Sequence, residues 1–395
     1  MQKTWLPRAF LWVLLLPIVG VMGLTQRGGP GGPDPATDPF KGVTTDGNVR
    51  AGLFRIKATG VTTRPVREAA VKFVATLTAE QRRSTTFAAD DIEWRRWNNV
   101  HRAVRQGVAF KDMTEAQKLA AFDLLQAGLS AKGLEKARNI MRLNEHIAEL
   151  TNNFTEYGEG LYYITVMGEP SDTDPWGWQL EGHHLIVNYV VLRDQVVMTP
   201  TFMGSEPVDA QSGKYKGTVV MHDEENKGLQ FIRSLTAEHQ QKATLGAEKT
   251  GNNALAQAFR DNLVLDFAGV RADAFTDEQR KQLLALIDEY VGNMDAGHAK
   301  VRMEEVRAHL KDTYFAWIGG TNNDSVFYYR IHSPVILIEF DHQTPVALPG
   351  PKEANRQHIH TVVRTPNGND YGKDLLRLHY EQHKHDPAHG HVVLR

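Results

Sequence analysis

The sequence predicts an α+β fold in which a tandem-duplicated unit, helices followed by an antiparallel sheet, gives the body pseudo-two-fold symmetry. Two observations support this prediction. Short sequence matches recur in the same order at a nearly constant spacing along the chain. In each copy, apolar residues at helical spacing are followed by runs rich in β-branched and aromatic residues. Helices followed by a meander of strands are typical of α+β proteins, and the alternative arrangement is two separate globular units in series.

Five short matches define the two copies, repeat 1 over residues 65–225 and repeat 2 over residues 226–381. The matches pair 77–81 with 235–240, 113–117 with 275–279, 162–164 with 328–331, 180–184 with 338–342, and 196–200 with 362–366. The duplication therefore predicts that Glu181 superposes on Glu339 and His184 on His342.

Each copy is predicted to begin with helices that follow a threonine. A threonine side chain can accept a hydrogen bond from the free N–H groups of a helix start, and acidic residues follow in the first turn. These threonines are Thr78, Thr114, Thr236 and Thr276. Longer helices are predicted over 132–150 and 296–311. Strands are predicted over 161–167, 184–192 and 195–199 in repeat 1, and over 326–332, 335–340 and 359–365 in repeat 2.

The N-terminus has the pattern of an export signal. Lys3 and Arg8 precede a run without charge that is short for a membrane span, which predicts a signal peptide over residues 1–23 and a periplasmic or secreted protein. The alternative is an uncleaved N-terminal anchor, which would be the only membrane contact. Residues 24–64 are predicted to be a Gly/Pro-rich linker and N-terminal segment, with a disordered tether over 25–48.

Composition excludes several classes of function. The chain has no cysteine, which excludes a disulfide framework and a lipid-modified N-terminus. Its formal net charge is −2, and no basic stripe with interleaved aromatic residues occurs, so nucleic acid is not an expected partner. The sequence also lacks a Gly-x-Ser-x-Gly elbow, a phosphate-binding Gly-rich loop and a His-Glu-x-x-His helix.

The first candidate site lies in the segment 176–184. In a strand, Glu181 and His183 would share one face, and Trp178 and His184 the other. A carboxylate and an imidazole on one face could form half of a divalent-metal site, with His184 as a further ligand candidate. The alternative is a packed sheet surface with hydrogen-bonded imidazoles.

The second candidate site is His358-Ile359-His360. A His-x-His on a strand presents two imidazoles on one face, a common arrangement for metal binding. Asp370, in the turn that follows, could ligate a metal, orient a histidine or cap a helix. The alternative is a solvent-facing histidine pair. Glu206, in a loop after a strand, is a candidate general base, with a turn carboxylate as the alternative.

The chain ends in a His-rich tail, residues 382–395. Such a tract could bind metal loosely, with a disordered, tag-like tail as the alternative. His379 precedes the tail on a predicted helix and could face inward as a ligand.

Four segments resemble a known family. The segments 176–184, 199–207, 328–331 and 358–372 are similar to the bacterial and fungal family of unknown function catalogued as DUF3500, and the resemblance covers roughly residues 65–385. The resemblance implies no reaction, cofactor or catalytic residue.

These patterns together predict an exported hydrolase that depends on a divalent metal, with zinc as the first candidate. His358, His360 and His183 would hold the ion, which lowers the pKa of a bound water to about 7. Glu181 or Asp370 would take the proton of that water, and Arg364 or Arg330 would hold an anionic group of a small-molecule, sugar or peptide substrate.

Two other functions are compatible with the same sequence. One is a non-catalytic binding module in which Trp176, Trp178 and Trp317 form an aromatic platform for a sugar or peptide. The other is metal scavenging through the C-terminal histidines.

Overall fold

The computed structural model describes residues 34–383. The predicted signal peptide over 1–23, the first part of the predicted linker and the tail from residue 384 onward lie outside the described residues. The described chain is a mixed α/β structure with nine α-helices and one 13-stranded sheet.

The predicted helices and strands occur in the predicted order, and the structure has further strands that were not predicted, among them β7 and β10. The helices are α1 (Arg64–Thr76), α2 (Ala79–Thr85), α3 (Glu115–Gly128), α4 (Ala131–Thr151), α5 (His222–Ser234), α6 (Ala237–Ala243), α7 (Asp277–Val291), α8 (Ala296–Ala308) and α9 (Lys373–Gln382). The strands are β1 (Thr86–Phe87), β2 (Val108–Ala109), β3 (Tyr162–Met167), β4 (Trp176–Gly182), β5 (Leu185–Leu192), β6 (Gln195–Val197), β7 (Thr201–Ser205), β8 (Thr244–Gly246), β9 (Val270–Arg271), β10 (Tyr314–Gly319), β11 (Phe327–His332), β12 (Leu337–His342) and β13 (Ile359–Arg364).

Helix starts are fixed by the predicted threonines. Thr78, Thr114 and Thr276 each form a capping box, in which the threonine hydroxyl accepts from the third helical N–H and a glutamine side chain accepts from the threonine N–H. Thr236 also accepts from the N–H of His239 at the start of α6. These caps satisfy N–H groups that have no partner within the helix.

Strand pairing is arranged around the antiparallel pair β7 and β13. The order across the sheet is β1-β3-β4-β5-β7-β13-β12-β11-β10-β8, with β2 beside β3, β6 beside β5 and β9 beside β10. Read outward from the central pair, the two halves have the same order, and β1 and β8 are each parallel to their neighbours. The sheet is therefore continuous from one half of the chain to the other.

The sequence matches are only partly in register with this order. The matches at Thr78 and Thr236, and at Thr114 and Thr276, lie at the starts of helices in the same position of each half. The other three matches join strands in different positions, because Glu181 lies on β4 and Glu339 on β12, whose counterpart by pairing order is β5. The predicted superposition of Glu181 on Glu339 and of His184 on His342 is wrong. The duplication itself stays a prediction.

The two faces of the sheet are covered differently. Met203 and Ile359 belong to the main core with the helices, while Phe202 and Val362 pack on the other face. That second face is covered by segments without long helices, which contribute the buried side chains Val43, Trp94, Trp97, Ala256 and Leu265. The candidate site lies on this second face.

The N-terminal segment is packed rather than disordered in its described part. Val43 is buried, and Thr44 exchanges backbone hydrogen bonds with the segment 263–265. Asp34 forms an ion pair with Arg96 at 3.0 Å. The predicted tether over 25–48 is therefore wrong for residues 34–48, because these residues bury side chains and pair their backbone with the body. Among the described helices, none has the length and apolar character needed to cross a membrane.

Candidate metal centre

His183 and His184 form the turn between two paired strands. Gly182 at the end of β4 pairs with Leu185 at the start of β5, so the two histidines are the loop of the hairpin and the predicted strand alternation does not extend to them. His184 has φ 61°, in the left-handed region. Its backbone is fixed, since its carbonyl accepts from the Gly204 N–H at 2.8 Å and its N–H donates to Asn99 O at 3.3 Å.

His360 is the second residue of β13 and His358 directly precedes this strand, and the two imidazoles lie on one face as predicted. His360 pairs in register with Asp341 of β12 and with Gly204 of β7. A side chain at Gly204 would meet Ile359 O at 2.4 Å and His360 Cδ2 at 3.2 Å, so glycine leaves the space that the imidazole occupies.

The two segments bring three imidazoles together. His184 Nε2 lies 3.2 Å from His358 Nε2, and His358 Nε2 lies 3.0 Å from His360 Nε2. The ligand atoms of the three rings all lie within 4.8 Å of one another. Zn–N bonds of about 2.0–2.1 Å place tetrahedral ligands about 3.3 Å apart, so this group could hold a metal ion.

Hydrogen bonds at the far side of two rings fix where their protons lie. His358 Nδ1 is 2.7 Å from the carbonyl oxygen of Thr344, which can only accept, so Nδ1 carries the proton. His360 Nδ1 is 3.2 Å from Gln257 Oε1, and the Gln257 amide is oriented by donating from Nε2 to Ala254 O. In both neutral rings Nε2 is therefore unprotonated, and the lone pairs of the two Nε2 atoms face each other.

Burial keeps these rings neutral. His184, His358 and His360 are 4, 2 and 8% exposed. Burial lowers the pKa of all three imidazoles, for His184 and His360 well below the usual value, and the Glu206 carboxylate partly offsets this effect at His358. Protonation is thus a poor means of relieving the repulsion between the lone pairs, and a cation bound between them would relieve it.

A second layer of contacts holds the ligand set in place. Glu206 Oε2 lies 3.4 Å from His358 Nδ1, and its carboxylate accepts from the N–H groups of Val346, Ala347 and Leu348. These bonds show a structural role for Glu206 rather than that of a free general base. A carboxylate or carbonyl behind a ligating histidine orients the ring and raises its basicity.

Gln257 lies on a covering segment, residues 249–261, that is fastened to the sheet. Asp341 accepts from the N–H groups of Asn253 and Ala254, and Glu339 accepts from those of Leu255 and Ala256. Gln257 could not be predicted from the sequence, because it lies in an irregular segment with no pattern to mark it.

Comparison with protein families identifies the group to which the chain is related. The family described as "Protein of unknown function (DUF3500)" matches residues 59–373. The chain belongs to this family. No curated protein and no solved structure matches the chain. The DUF3500 match contains all three histidines of the metal centre and ends before His379.

His183 and His379 are not part of the ligand group of this DUF3500 protein. His183 stacks on His184 with ring centroids 3.9 Å apart, and its Nδ1 lies 2.8 Å from Asn144 Oδ1. It therefore supports the His184 ring rather than replacing it as a ligand. His379 lies on α9, beside His383 and Tyr380.

The two predicted catalytic carboxylates form hydrogen bonds and ion pairs with residues other than the three histidines. Glu181 accepts from the Asn98 N–H at 3.0 Å and lies 3.3 Å from Arg105 Nε. Asp370 accepts from the Thr365 N–H at 2.7 Å and from Arg364 at 3.1 Å. Among the described residues, neither belongs to the histidine group.

Arg364 has a structural role. It is fully buried, pairs with Asp261 and Asp370, and donates to the carbonyls of Ala256 and Gln257. Four residues of strand separate it from His360, which is about 13 Å. The predicted role of Arg364 in holding substrate stays a prediction. Arg330 lies on β11, two strands from β13, and does not belong to the histidine group.

The aromatic platform predicted for a binding module does not form. Trp176, Trp178 and Trp317 are all buried in the main core, with at most 1% of their surface exposed. They are packing residues.

Proposed function

We propose that the chain binds one divalent metal ion through His184, His358 and His360 and uses it to hydrolyse a small-molecule, sugar or peptide substrate. The convergence of three Nε2 atoms, two of them left unprotonated by hydrogen bonds at Nδ1, carries this proposal. Imidazole ligands without thiolates suit zinc, and also copper, iron and nickel.

The ligand number supports catalysis. Three protein ligands with a position left for water are typical of catalytic zinc sites, whereas structural zinc sites have four. Within residues 34–383 the group contains three His and no fourth His, Asp or Glu. When bound, the ion supplies activation of a water at neutral pH.

The chain's own residues orient the ligands in this proposal. Thr344 O and Gln257 keep Nε2 of His358 and His360 directed inward, and the stacked ring of His183 holds that of His184. Neither Glu181 nor Asp370 takes part.

The burial of the site favours a second candidate, a non-catalytic metal centre. Since no ligand ring is more than 8% exposed, substrate access requires movement of a covering element. A structural ion would need no such access. Activity of the metal-loaded protein separates the two functions.

Metal analysis of protein purified without a tag tests the proposal. About one equivalent of ion per chain is expected after dialysis, and His358→Ala or His360→Ala should remove it, while His379→Ala retains it. Hydrolysis of ester, peptide and glycoside panels should appear only with the ion restored. Full metal content in both ligand variants would overturn the proposed metal site. A protein that binds the ion but shows no activity would support the non-catalytic metal centre instead.

Export of the protein belongs to the same proposal. Its support is the pattern of residues 1–23, which lie outside the described residues. N-terminal sequencing of the native protein should find a start near Leu24, and a cytoplasmic protein that starts at Met1 would contradict export.

We infer that the two halves arose by tandem duplication. The common order of helices and paired strands supports this inference. Superposition of β3, β4, β5 and β7 on β10, β11, β12 and β13 should bring α3 and α4 onto α7 and α8. Helices that fail to overlap would contradict it.

A further inference from the structure

A cavity lies at the opposite end of β13 from the histidine group. It has a volume of about 300 Å³ and is bounded by the N-terminal segment, the end of β11 and the turn after β13. Its lining includes Thr44, Arg50, Phe267, His332 and Asn367. This volume is at the lower end of the range for small-molecule sites.

His332 contributes a polar atom without a partner. The residue is 1% exposed, and its Nδ1 has no hydrogen-bond partner among the described residues. The ring is held by Phe267, with centroids 4.7 Å apart. A buried polar atom left without a hydrogen bond costs about 1–3 kcal/mol, which a ligand in the cavity would recover.

Arg330 is a buried cation near His332, although it is not itself among the residues that line the cavity. It lies two residues before His332, on the same face of β11. Its Nη2 donates to Asp266 O at 3.3 Å, next to Phe267 of the lining, and its Nε has no hydrogen-bond partner among the described residues. A buried guanidinium normally pairs with an anion.

The nearest acidic groups are already engaged. Glu339 faces Arg330 in register on β12 and attracts it electrostatically, and its carboxylate also accepts from Leu255, Ala256 and Tyr328. Asp46, at the exposed rim, accepts from the Asn48 N–H. Arg50 lies at the same rim and adds a second positive charge.

We propose that this cavity is a binding site for a small oxyanion, a carboxylate or a phosphate group, held by Arg330 and His332 with Arg50 at the entrance. Planar guanidinium groups match the oxygens of both anions, and the threonine and asparagine side chains of the lining offer further polar contacts. The site is independent of the metal centre.

Calorimetric titration of the full-length protein with inorganic phosphate and with acetate tests the site, in a buffer free of other oxyanions. Saturable binding of at least one anion is expected. Arg330→Met and His332→Phe should each weaken it by about tenfold or more, since each removes a hydrogen bond to a charged ligand. Binding of phosphate alone, or of acetate alone, would identify the chemical class of the anion.

Matched variants make the test decisive. Arg50→Ala, at the exposed rim, should weaken binding even if the buried variants fail to fold, and Arg83→Ala, on an exposed part of α2, should not. His360→Ala should bind the anion normally, which separates this site from the metal centre. Absence of saturable binding would overturn the proposal, and so would an affinity in Arg50→Ala and His332→Phe equal to that of the unmodified protein.

Discussion

Asp341 and His360 face each other in register on β12 and β13, and the covering segment joins them. Asp341 accepts from Asn253 and Ala254 of this segment, and His360 donates from Nδ1 to Gln257 of the same segment. Asp341, which is not one of the three proposed metal ligands, thus helps to place Gln257, the hydrogen-bond acceptor behind the His360 ring.

Gln257→Leu should weaken metal binding without abolishing it. Without the Gln257 acceptor, neither the tautomer nor the orientation of the His360 ring is fixed. Loss of such a hydrogen bond to a ligating histidine typically lowers metal affinity by about 10–100-fold. Competition with a chromogenic chelator measures the change. Gln126→Leu, on an exposed face of α3, is the matched control. Equal affinity in the two variants would show that Gln257 does not support the site.

Metal removal should lower the thermal stability of the protein. An ion that binds only the folded chain stabilises it by about 2.7 kcal/mol when its free concentration is about 100 times the dissociation constant. Calorimetry before and after chelation should therefore show a fall of several degrees in Tm, reversed by adding the ion. His360→Ala should show no response to chelator or ion, and a response as large as that of the unmodified protein would place the ion elsewhere.

Arg364→Met should destabilise the fold. The substitution leaves Asp261 and Asp370 without their shared cation in a fully buried place. Breaking a buried pair in this way costs about 3–5 kcal/mol, measurable by urea unfolding. Arg83→Met should change the free energy of unfolding by no more than about 0.5 kcal/mol. Full stability with lost activity would instead support the substrate-binding role that the sequence predicted.

His332 should make the protein less stable in acid. Burial, with a smaller effect of Arg330, lowers the pKa of His332 from 6.5 to about 3. The unfolded chain therefore binds more protons than the folded chain between these values, and stability falls as pH falls below 6.5. From pH 6.5 to 4.5 the loss from this residue is about 2 kcal/mol.

His332→Phe should remove that part of the pH dependence. The difference in unfolding free energy between the unmodified protein and the variant, measured by urea unfolding in buffer without oxyanions, should change by about 2 kcal/mol over the same pH range. Parallel curves for the two proteins would show that the imidazole titrates normally in the folded state.

The order of helices and strands could be predicted because its signals are local. Threonine caps at Thr114 and Thr276 and the apolar spacing that follows depend on neighbouring residues alone. The strand correspondence could not be predicted, since resemblance between Glu181 and Glu339 says nothing of which strands pair. Pairing depends on contacts distant in sequence.

The metal centre was predicted in part for the same reason. His-x-His at 358–360 is a pattern of one strand and was placed on one face as expected. The choice of His183 over His184 failed because strand alternation stops at Gly182, where the hairpin turns. Gln257 and Thr344 O act through an irregular segment and a backbone carbonyl, for which the sequence has no marker.

The central pair of β7 and β13 has a consequence for the unfolded chain. It brings His184 next to His358, 174 residues away in sequence. An ion shared by the two would close that long loop in any state that retains it, and so reduce the conformational entropy of the denatured ensemble. In a chain without cysteine, the metal would then serve as a reversible cross-link, set by ion supply rather than by redox conditions.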